Sequence, residues 1–257
     1  MSLVAVVGDG CTTTALGIAA GWPQDEPCMV AEFDPAGGCL AAWLDLPRSP
    51  GLADVVASST PDSWPVIEAA VQRARSGVDV LLAPARAVEA AAVIRAATTS
   101  VLPVLGAVES PVVVADGGRL RGALTALAVQ ADVVVIAHRQ NSGSCAAAAL
   151  GFERVAELAL LLAVRSIPTV VALIGQRPYA ADEVAEFVQA DTMIALADDA
   201  WAAAVLAGRA GSAIRLRRSP LMRSLPELTA VVSARLRHLR DHEGLLSSPE
   251  GLVDDRA

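Results

Sequence analysis

LVAVVGDGCTTTALGIAA, residues 3–20, decides the fold of this 257-residue chain. The β-branched apolar run at residues 4–7 predicts a buried strand, and Gly8-Asp9-Gly10 interrupts it. Three threonines then lead into an Ala/Leu/Ile run with helical spacing. A strand, a glycine turn and a helix start in this order favour a bound anion, because the free N–H groups of the helix start point towards the turn. A plain strand–turn–helix without a ligand is the alternative interpretation.

The turn departs from the phosphate-loop pattern G-x-x-x-x-G-K-[ST] at its lysine. Gly10 and Thr12 match the pattern, and Cys11 occupies the lysine position. All 20 residues counted as Lys+Arg are arginines, so no lysine of this chain can replace it. Asp9 adds a carboxylate beside the expected anion, and two like charges about 4 Å apart cost roughly 4 kcal/mol at an effective dielectric constant near 20.

The composition is that of one α/β domain with a core of small aliphatic side chains. Hydrophobic residues make up 54% of the chain and aromatic residues only 3%, so alanine, valine and leucine must fill the core. The net charge of −8 argues against a protein that coats nucleic acid with its whole surface. No apolar run reaches about 18 residues and the N-terminus lacks a basic signal region. A cytoplasmic protein is therefore predicted.

The cysteines and histidines lack the spacing of a metal site. They are Cys11, Cys28, Cys39 and Cys145, and His138, His238 and His242. Without a C-x-x-C pair, reduced thiols are expected. Cys11 and Cys39 fall near the predicted anion site, where packing of small residues is favoured over a redox role.

Short apolar strands alternate with helices along the chain. Strands are predicted at residues 28–33, 78–83, 111–116, 132–137, 169–174 and 192–196, and helices include 40–46, 52–58, 66–76, 89–97, 120–129, 144–164, 182–188 and 201–206. Because several strands are apolar without alternation, they indicate a parallel sheet buried on both faces. The predicted fold class is α/β, with a mostly parallel central sheet between layers of helices.

Four stretches together resemble the MinD/ParA group of phosphate-loop ATPases, over roughly residues 3–223. They are GDGCTTTALGIAA (8–20), EFDPAGG (32–38), VVVADGG (112–118) and ADVVVIAHRQNSGSCAAA (131–148). Two later stretches, ALIGQRPYAADEVAEF (172–187) and ADDAWAAAVLAGR (197–209), resemble the base-side loops of actinobacterial MinD-like proteins. The resemblance implies a three-layer αβα phosphate-loop NTPase fold with a degenerate Walker A motif.

The resemblance also implies a site for ATP and magnesium. The implied nucleotide-binding residues are Gly8, Gly10, Cys11, Thr12, Thr13 and Arg177, with Thr12 as the magnesium ligand. The implied catalytic positions are Glu32, Asp34 (switch I) and Asp116 (Walker B), and Glu32 takes the place of an aspartate that helps to activate water. Two lysines of the family are replaced: the one that contacts phosphate in cis is Cys11, and the one that crosses the dimer is Val6.

The loss of both lysines decides the expected function. Positioning and electrostatics supply nearly all the rate of phosphoryl transfer, so hydrolysis by the family mechanism is not expected. We expect an ATPase-deficient organiser or regulator of a membrane- or pole-associated machine of the pilus, secretion or division type, acting through protein contacts and as a homodimer. One alternative is an ATPase that uses arginine, with Arg139 and Arg177 as candidates. Another, weaker one is a nucleoid-binding partition protein.

The C-terminal part is basic and then amphipathic. The main domain is predicted at residues 1–223, and arginines cluster in its last part, from Arg209 to Arg223. Residues 224–243 predict a helix with one apolar stripe and a basic face, starting at the capping-box pattern of Ser224 and Glu227. Such a helix either packs on the domain, the favoured interpretation, or lies on the inner membrane surface. Residues 244–257 are predicted to be disordered.

Overall fold

A central β-sheet organises the molecule. The computed structural model describes residues 2–119, 126–140 and 144–247. In this part of the chain the strands are β1 Leu3–Gly8, β2 Cys28–Glu32, β3 Gln72–Arg73, β4 Asp79–Leu81, β5 Val112–Asp116, β6 Val133–Arg139, β7 Thr169–Ile174 and β8 Met193–Leu196. Their order in the sheet is β3-β4-β2-β5-β1-β6-β7-β8. Strand β3 is antiparallel to β4, and the other neighbouring pairs are parallel.

Helices cover both faces of this sheet. They are α1 Cys11–Ala20, α2 Leu40–Trp43, α3 Leu52–Ala57, α4 Trp64–Ala69, α5 Ala87–Ser100, α6 Leu102–Ala107, α7 Ala126–Gln130, α8 Cys145–Ala163, α9 Ala181–Val188, α10 Ala200–Leu206, α11 Ala213–Arg217 and α12 Pro220–Ser247. The predicted α/β class with a mostly parallel central sheet between helices is therefore confirmed.

The two faces of the central strand β1 supply two separate cores. Leu3, Ala5 and Val7 join the cluster that contains α5, α6, α8 and α9. Val4 and Val6 face the other way and join the cluster with α1, α10 and α12. Because successive side chains of a strand point to opposite faces, a strand that is buried on both sides must be apolar throughout.

The strand order reverses beside β1, the central strand that precedes the glycine turn. Strand β1 lies between β5 and β6, with Val4 paired to Val114 on one side and to Val133 on the other. After β1 the chain passes β5 to reach β2, whereas after β5 it passes β1 to reach β6, so the direction of the connections reverses here. Ligands of open parallel sheets bind at the carboxyl ends of strands where the order reverses. The Gly8–Gly10 turn stands at that edge, directly after β1.

Two predicted helices differ from the observed elements. The prediction of a helix over 66–76 holds only to Ala69, since Gln72 and Arg73 form the edge strand β3. Contacts from distant parts of the chain favour the strand: Gln72 Nε2 donates to the carbonyl oxygens of Pro47 (2.8 Å) and Pro50 (2.6 Å). Of the helix predicted at 120–129, residues 126–130 are helical, and residues 120–125 lie outside the described part of the chain.

Helix α12 packs its apolar stripe on the sheet domain. Leu225, Leu228, Val232 and Leu236 are buried in the same core cluster as α1. Gly17 of α1 allows a close approach, because a Cβ there would lie 2.8 Å from a methyl carbon of Leu225. This arrangement agrees with the packed alternative for the C-terminal helix.

The limits of α12 correct the predicted range 224–243. The helix begins at Pro220, where the Ser219 hydroxyl accepts a hydrogen bond from Met222 N (3.2 Å). Ser224 does not cap a helix: its hydroxyl accepts from Ala197 N (3.1 Å) and donates to Leu221 O (2.9 Å). The helix runs on to Ser247, so residues 244–247 are helical, and residues 248–257 lie outside the described part. Within the described residues, no helix combines the length and apolar character that crossing a bilayer requires.

The packing of α12 can be tested with Leu228→Ala. Because Leu228 is fully buried, we expect the free energy of unfolding in urea to fall by about 2–5 kcal/mol. The matched control is Leu160→Ala on α8, where the leucine is 65% exposed and a change of about 0.5 kcal/mol or less is expected. Equal unfolding midpoints for the two variants would contradict the packing.

Candidate functional site

The loop after β1 has the backbone shape of an anion-binding loop. Gly8 and Gly10 have positive φ angles of 111° and 93°, a region that side chains other than glycine seldom adopt. A Cβ on Gly8 would also overlap the carbonyl oxygen of Ala137 on β6. Gly8 N donates to Gly118 O (2.9 Å), which ties the loop to the turn after β5. Helix α1 starts immediately afterwards, at Cys11.

A cavity of about 670 Å³ opens in front of this loop. It is lined by six residues that the resemblance assigns to the site, Gly8, Gly10, Cys11, Thr12, Thr13 and Asp34, and by Asp9, Ala36, Cys39, Trp43, Arg119 and Arg139. Glu32, Asp116 and Arg177 are not among the lining residues. The roles of all these residues at a nucleotide stay predictions.

Cys11 is buried beneath the loop, close to the carboxyl group of Asp116. Its thiol lies 3.9 Å from the hydroxyl of Thr12, and the Asp116 carboxyl accepts a hydrogen bond from Gly118 N (3.2 Å). Burial, and then the charge of Asp116, raises the pKa of the Cys11 thiol. Burial likewise raises the pKa of Asp116. At neutral pH the lysine position therefore holds a buried, uncharged thiol.

Val6 lies too deep to act at the surface of the site. It is fully buried within β1 and belongs to the core cluster of α1 and α12. A lysine ammonium group at this position would be placed among aliphatic side chains, which is costly without a partner. The position that the resemblance gives to a lysine crossing the dimer is thus a core position in this chain.

Glu32 stabilises the backbone around the site and does not face the cavity. Its Oε1 accepts from Cys39 N (2.7 Å) and Leu40 N (2.8 Å), and its Oε2 accepts from Ala83 N (3.0 Å). The carboxyl thus joins the ends of β2 and β4 to the start of α2. Burial raises the pKa of Glu32 to about 7, although the three backbone hydrogen bonds oppose this shift.

Asp34 stands at the rim of the cavity in a tight turn. Its Oδ1 accepts from Ala36 N (2.8 Å). Gly118, at a positive φ of 73°, leaves room for the Asp34 carboxylate, which a Cβ at that position would overlap. The turns after β2 and β5 therefore meet beside the loop, as the resemblance predicts for the acidic residues of the site.

The arginines at the cavity are each paired with an aspartate. Arg119 lies 4.0 Å from Asp9, and Arg139 lies 3.1 Å from Asp198. Arg139 is the candidate cation that the sequence indicated, whereas the exposed Arg177 does not line the cavity. Arg119 was missed, although its place directly after the Asp-Gly-Gly turn of β5 puts it at the correct edge of the sheet.

The cavity offers a phosphate group no net positive charge. Its lining carries two arginines and the two carboxylates of Asp9 and Asp34, so its formal charge is zero. Thr12 lines the cavity and offers a hydroxyl of the kind that binds magnesium. Among the residues that the structure describes, no group of three or more His, Cys, Asp or Glu side chains is arranged to hold a metal ion.

Comparison with solved structures identifies the fold. A ParA family ATPase from Chlorobium tepidum superposes with a TM-score of 0.67 over 89% of this chain and 97% of that chain, at 14% identity. MinD in the MinC:MinD cell division complex of Aquifex aeolicus gives 0.68 over 91% and 96%, at 11% identity. The chain has the MinD/ParA fold.

A third structure extends the comparison to a liganded relative. MinD from Pyrococcus horikoshii, complexed with Mg-ADP, gives a TM-score of 0.65 over 90% of this chain and 95% of that chain, at 13% identity. No protein-family model and no curated protein matches the sequence. Identities this low establish the MinD/ParA fold alone, and the chemistry of the site must be argued from its own residues.

The raised pKa of Glu32 predicts how stability depends on pH. The carboxyl of Glu32 has an ordinary pKa of 4.5 and a pKa of about 7 in the fold. Between these two pH values the folded chain holds a proton on Glu32 that the unfolded chain has lost. Stability therefore falls as pH rises through this window, by at most about 1.4 kcal/mol per pH unit. We expect the difference in unfolding free energy between wild type and Glu32→Gln, measured in urea, to shift by about 3 kcal/mol across the window. A difference that is constant with pH would contradict the assignment.

Proposed function

We propose that this protein is an ATPase-deficient member of the MinD/ParA fold that organises or regulates other proteins through direct contacts. One observation carries the proposal: Cys11, in the lysine position at the start of α1, is a buried and uncharged side chain. A phosphoryl-transfer site needs cations aimed at the charge that develops on the phosphate. This loop has kept the glycine backbone of such a site and has lost the cation.

The machine that we propose as the target is membrane- or pole-associated, of the pilus, secretion or division type. Solved structures with this fold include MinD in a complex with MinC, described as a cell division complex. The protein would work in the cytoplasm at the inner face of the membrane, as a homodimer or bound to a partner. Because α12 buries its apolar stripe in the domain, we expect protein contacts rather than this helix to bring it there.

The second candidate is an ATPase that uses arginine. Arg119 and Arg139 line the cavity and could turn from Asp9 and Asp198 towards a phosphate. The structure of McdA from Cyanothece in complex with ATP, at 13% identity and a TM-score of 0.60, belongs to the same fold. This candidate requires that two ion pairs open when the nucleotide binds, which makes it the weaker of the two.

Steady-state ATP hydrolysis with magnesium separates the two candidates. We expect the wild-type chain to release phosphate no faster than Asp116→Asn, because neither protein carries the cation that stabilises the transition state. Turnover by the wild type that is lost in Arg119→Gln or Arg139→Gln would establish the arginine mechanism and contradict the proposal.

Restoring the cation provides the complementary arm of this experiment. Cys11→Lys should bind ATP at least about tenfold more tightly than the wild type, measured by calorimetry, because the ammonium group returns to the helix start. The control Cys145→Lys adds the same charge at an exposed cysteine and should leave the affinity within about twofold. A wild type that already binds ATP as tightly as Cys11→Lys would show that the loop does not lack a cation.

A further inference from the structure

Two arginines that make no salt bridge within the described residues line a groove beyond the end of β8. The groove has a volume of about 790 Å³ and lies between the start of α10 and the segment that contains α11. Arg215 and Arg218 line it, and Arg215 stacks on the ring of Trp201 at 4.2 Å from the ring centre. Ile214, also in the lining, is 68% exposed. The groove therefore combines guanidinium groups with an open apolar side chain.

The segment that forms one wall of the groove is basic. Residues 200–226 contain five arginines, all exposed, and neither aspartate nor glutamate; the arginines are Arg209, Arg215, Arg217, Arg218 and Arg223. Within the described residues none of the five makes a salt bridge. Because the whole chain carries −8 and this stretch carries +5, the remaining residues carry −13.

The two acidic residues on the opposite wall of the groove are already engaged. Asp198 pairs with Arg139 at 3.1 Å. Asp199 caps α10, with its Oδ1 accepting from Ala202 N at 3.0 Å. Among the described residues, neither carboxylate forms a salt bridge with Arg215 or Arg218, so an anionic partner would meet guanidinium groups that are exposed and not directly paired.

We propose that this groove, defined by Trp201, Ile214, Arg215 and Arg218, binds an acidic segment of a partner protein in which carboxylates are interleaved with apolar side chains. Carboxylates would pair with Arg215 and Arg218, since guanidinium binds them with two parallel hydrogen bonds. Apolar side chains would cover Ile214 and the Trp201 edge. The inference rests on the proposed function, because it names the class of partner through which the protein acts.

A short acidic peptide fits this surface better than an extended anionic one. At physiological salt, charges more than about 8 Å apart are screened from each other. A short segment bound in the groove would therefore interact mainly with the arginines there, and little with the rest of the chain, whose net charge is −13. A nucleic acid or a bilayer extends past the groove and meets that acidic surface. The concave shape also suits a peptide chain, whereas a bilayer presents a flat surface.

Fluorescence anisotropy with a labelled probe tests the inference. The probe is a peptide of about 12 residues in which aspartate and glutamate alternate with leucine, and a matched peptide carries asparagine and glutamine in place of the acids. We expect the acidic probe alone to bind the full-length protein, more weakly at roughly 200 mM than at 50 mM salt. Arg215→Gln combined with Arg218→Gln should weaken its binding at least about tenfold.

The control variant makes the same change in net charge elsewhere. Arg86 and Arg95 are exposed, at and within α5, which packs on the opposite face of the sheet. Arg86→Gln combined with Arg95→Gln should leave probe affinity within about twofold of the wild type. Ile214→Asp, which places a carboxylate in the groove, should weaken the acidic probe and gives a second variant at an exposed site.

Four outcomes would overturn the inference. The first two are that the groove variant and the control variant bind the probe equally well, and that the wild type does not bind the acidic probe at all. The third is that single-stranded DNA or anionic vesicles bind in its place and that the groove variant loses this binding. The fourth is that ATP displaces the probe. Measuring ATP turnover on the same samples separates this inference from the proposed function. Turnover with intact probe binding contradicts the proposed function, whereas lost probe binding without turnover contradicts the groove alone.

Discussion

The buried carboxyl group of Asp116 is the feature on which the rest of the site depends. It ends β5 at the register of Val6 on β1 and Glu32 on β2, so it lies under the loop at the centre of the sheet. It makes no salt bridge among the residues that the structure describes, and its Oδ1 accepts a hydrogen bond from Gly118 N. Beside it, Cys11 places an uncharged thiol at the start of α1, where a phosphate needs positive charge.

The distribution of arginines follows a related pattern. Arg119 and Arg139 at the cavity are each balanced by an aspartate, whereas the exposed arginines of residues 209–223 have no salt-bridge partner in the described part of the chain. The Arg139–Asp198 pair lies between the two regions, because Arg139 lines the cavity and Asp198 lines the groove. Available positive charge is thus found on the outer surface, where a partner can reach it, and not where phosphate chemistry would take place.

Most of the fold could be predicted from local patterns, and most of the site geometry could not. Apolar runs such as the one in residues 132–137 identify strands, because a strand that is buried on both faces must consist of apolar residues. The helix prediction for Gln72 was wrong, because the contacts that hold it in a strand come from Pro47 and Pro50, which are distant in sequence. The contacts of Glu32 with Cys39, Leu40 and Ala83 could not be foreseen for the same reason. The start of α12 at Pro220 was not predicted, because Pro226 lies inside the helix and proline normally marks the first turn of a helix.

A crystal structure of the protein grown with magnesium and a non-hydrolysable ATP analogue tests the central claim most directly. We predict that the Cys11 thiol stays buried beside Asp116 and that no triphosphate occupies the loop between Gly8 and Thr12. A triphosphate bound there, with magnesium on Thr12 and the guanidinium group of Arg119 or Arg139 moved from its aspartate onto the phosphates, would contradict it.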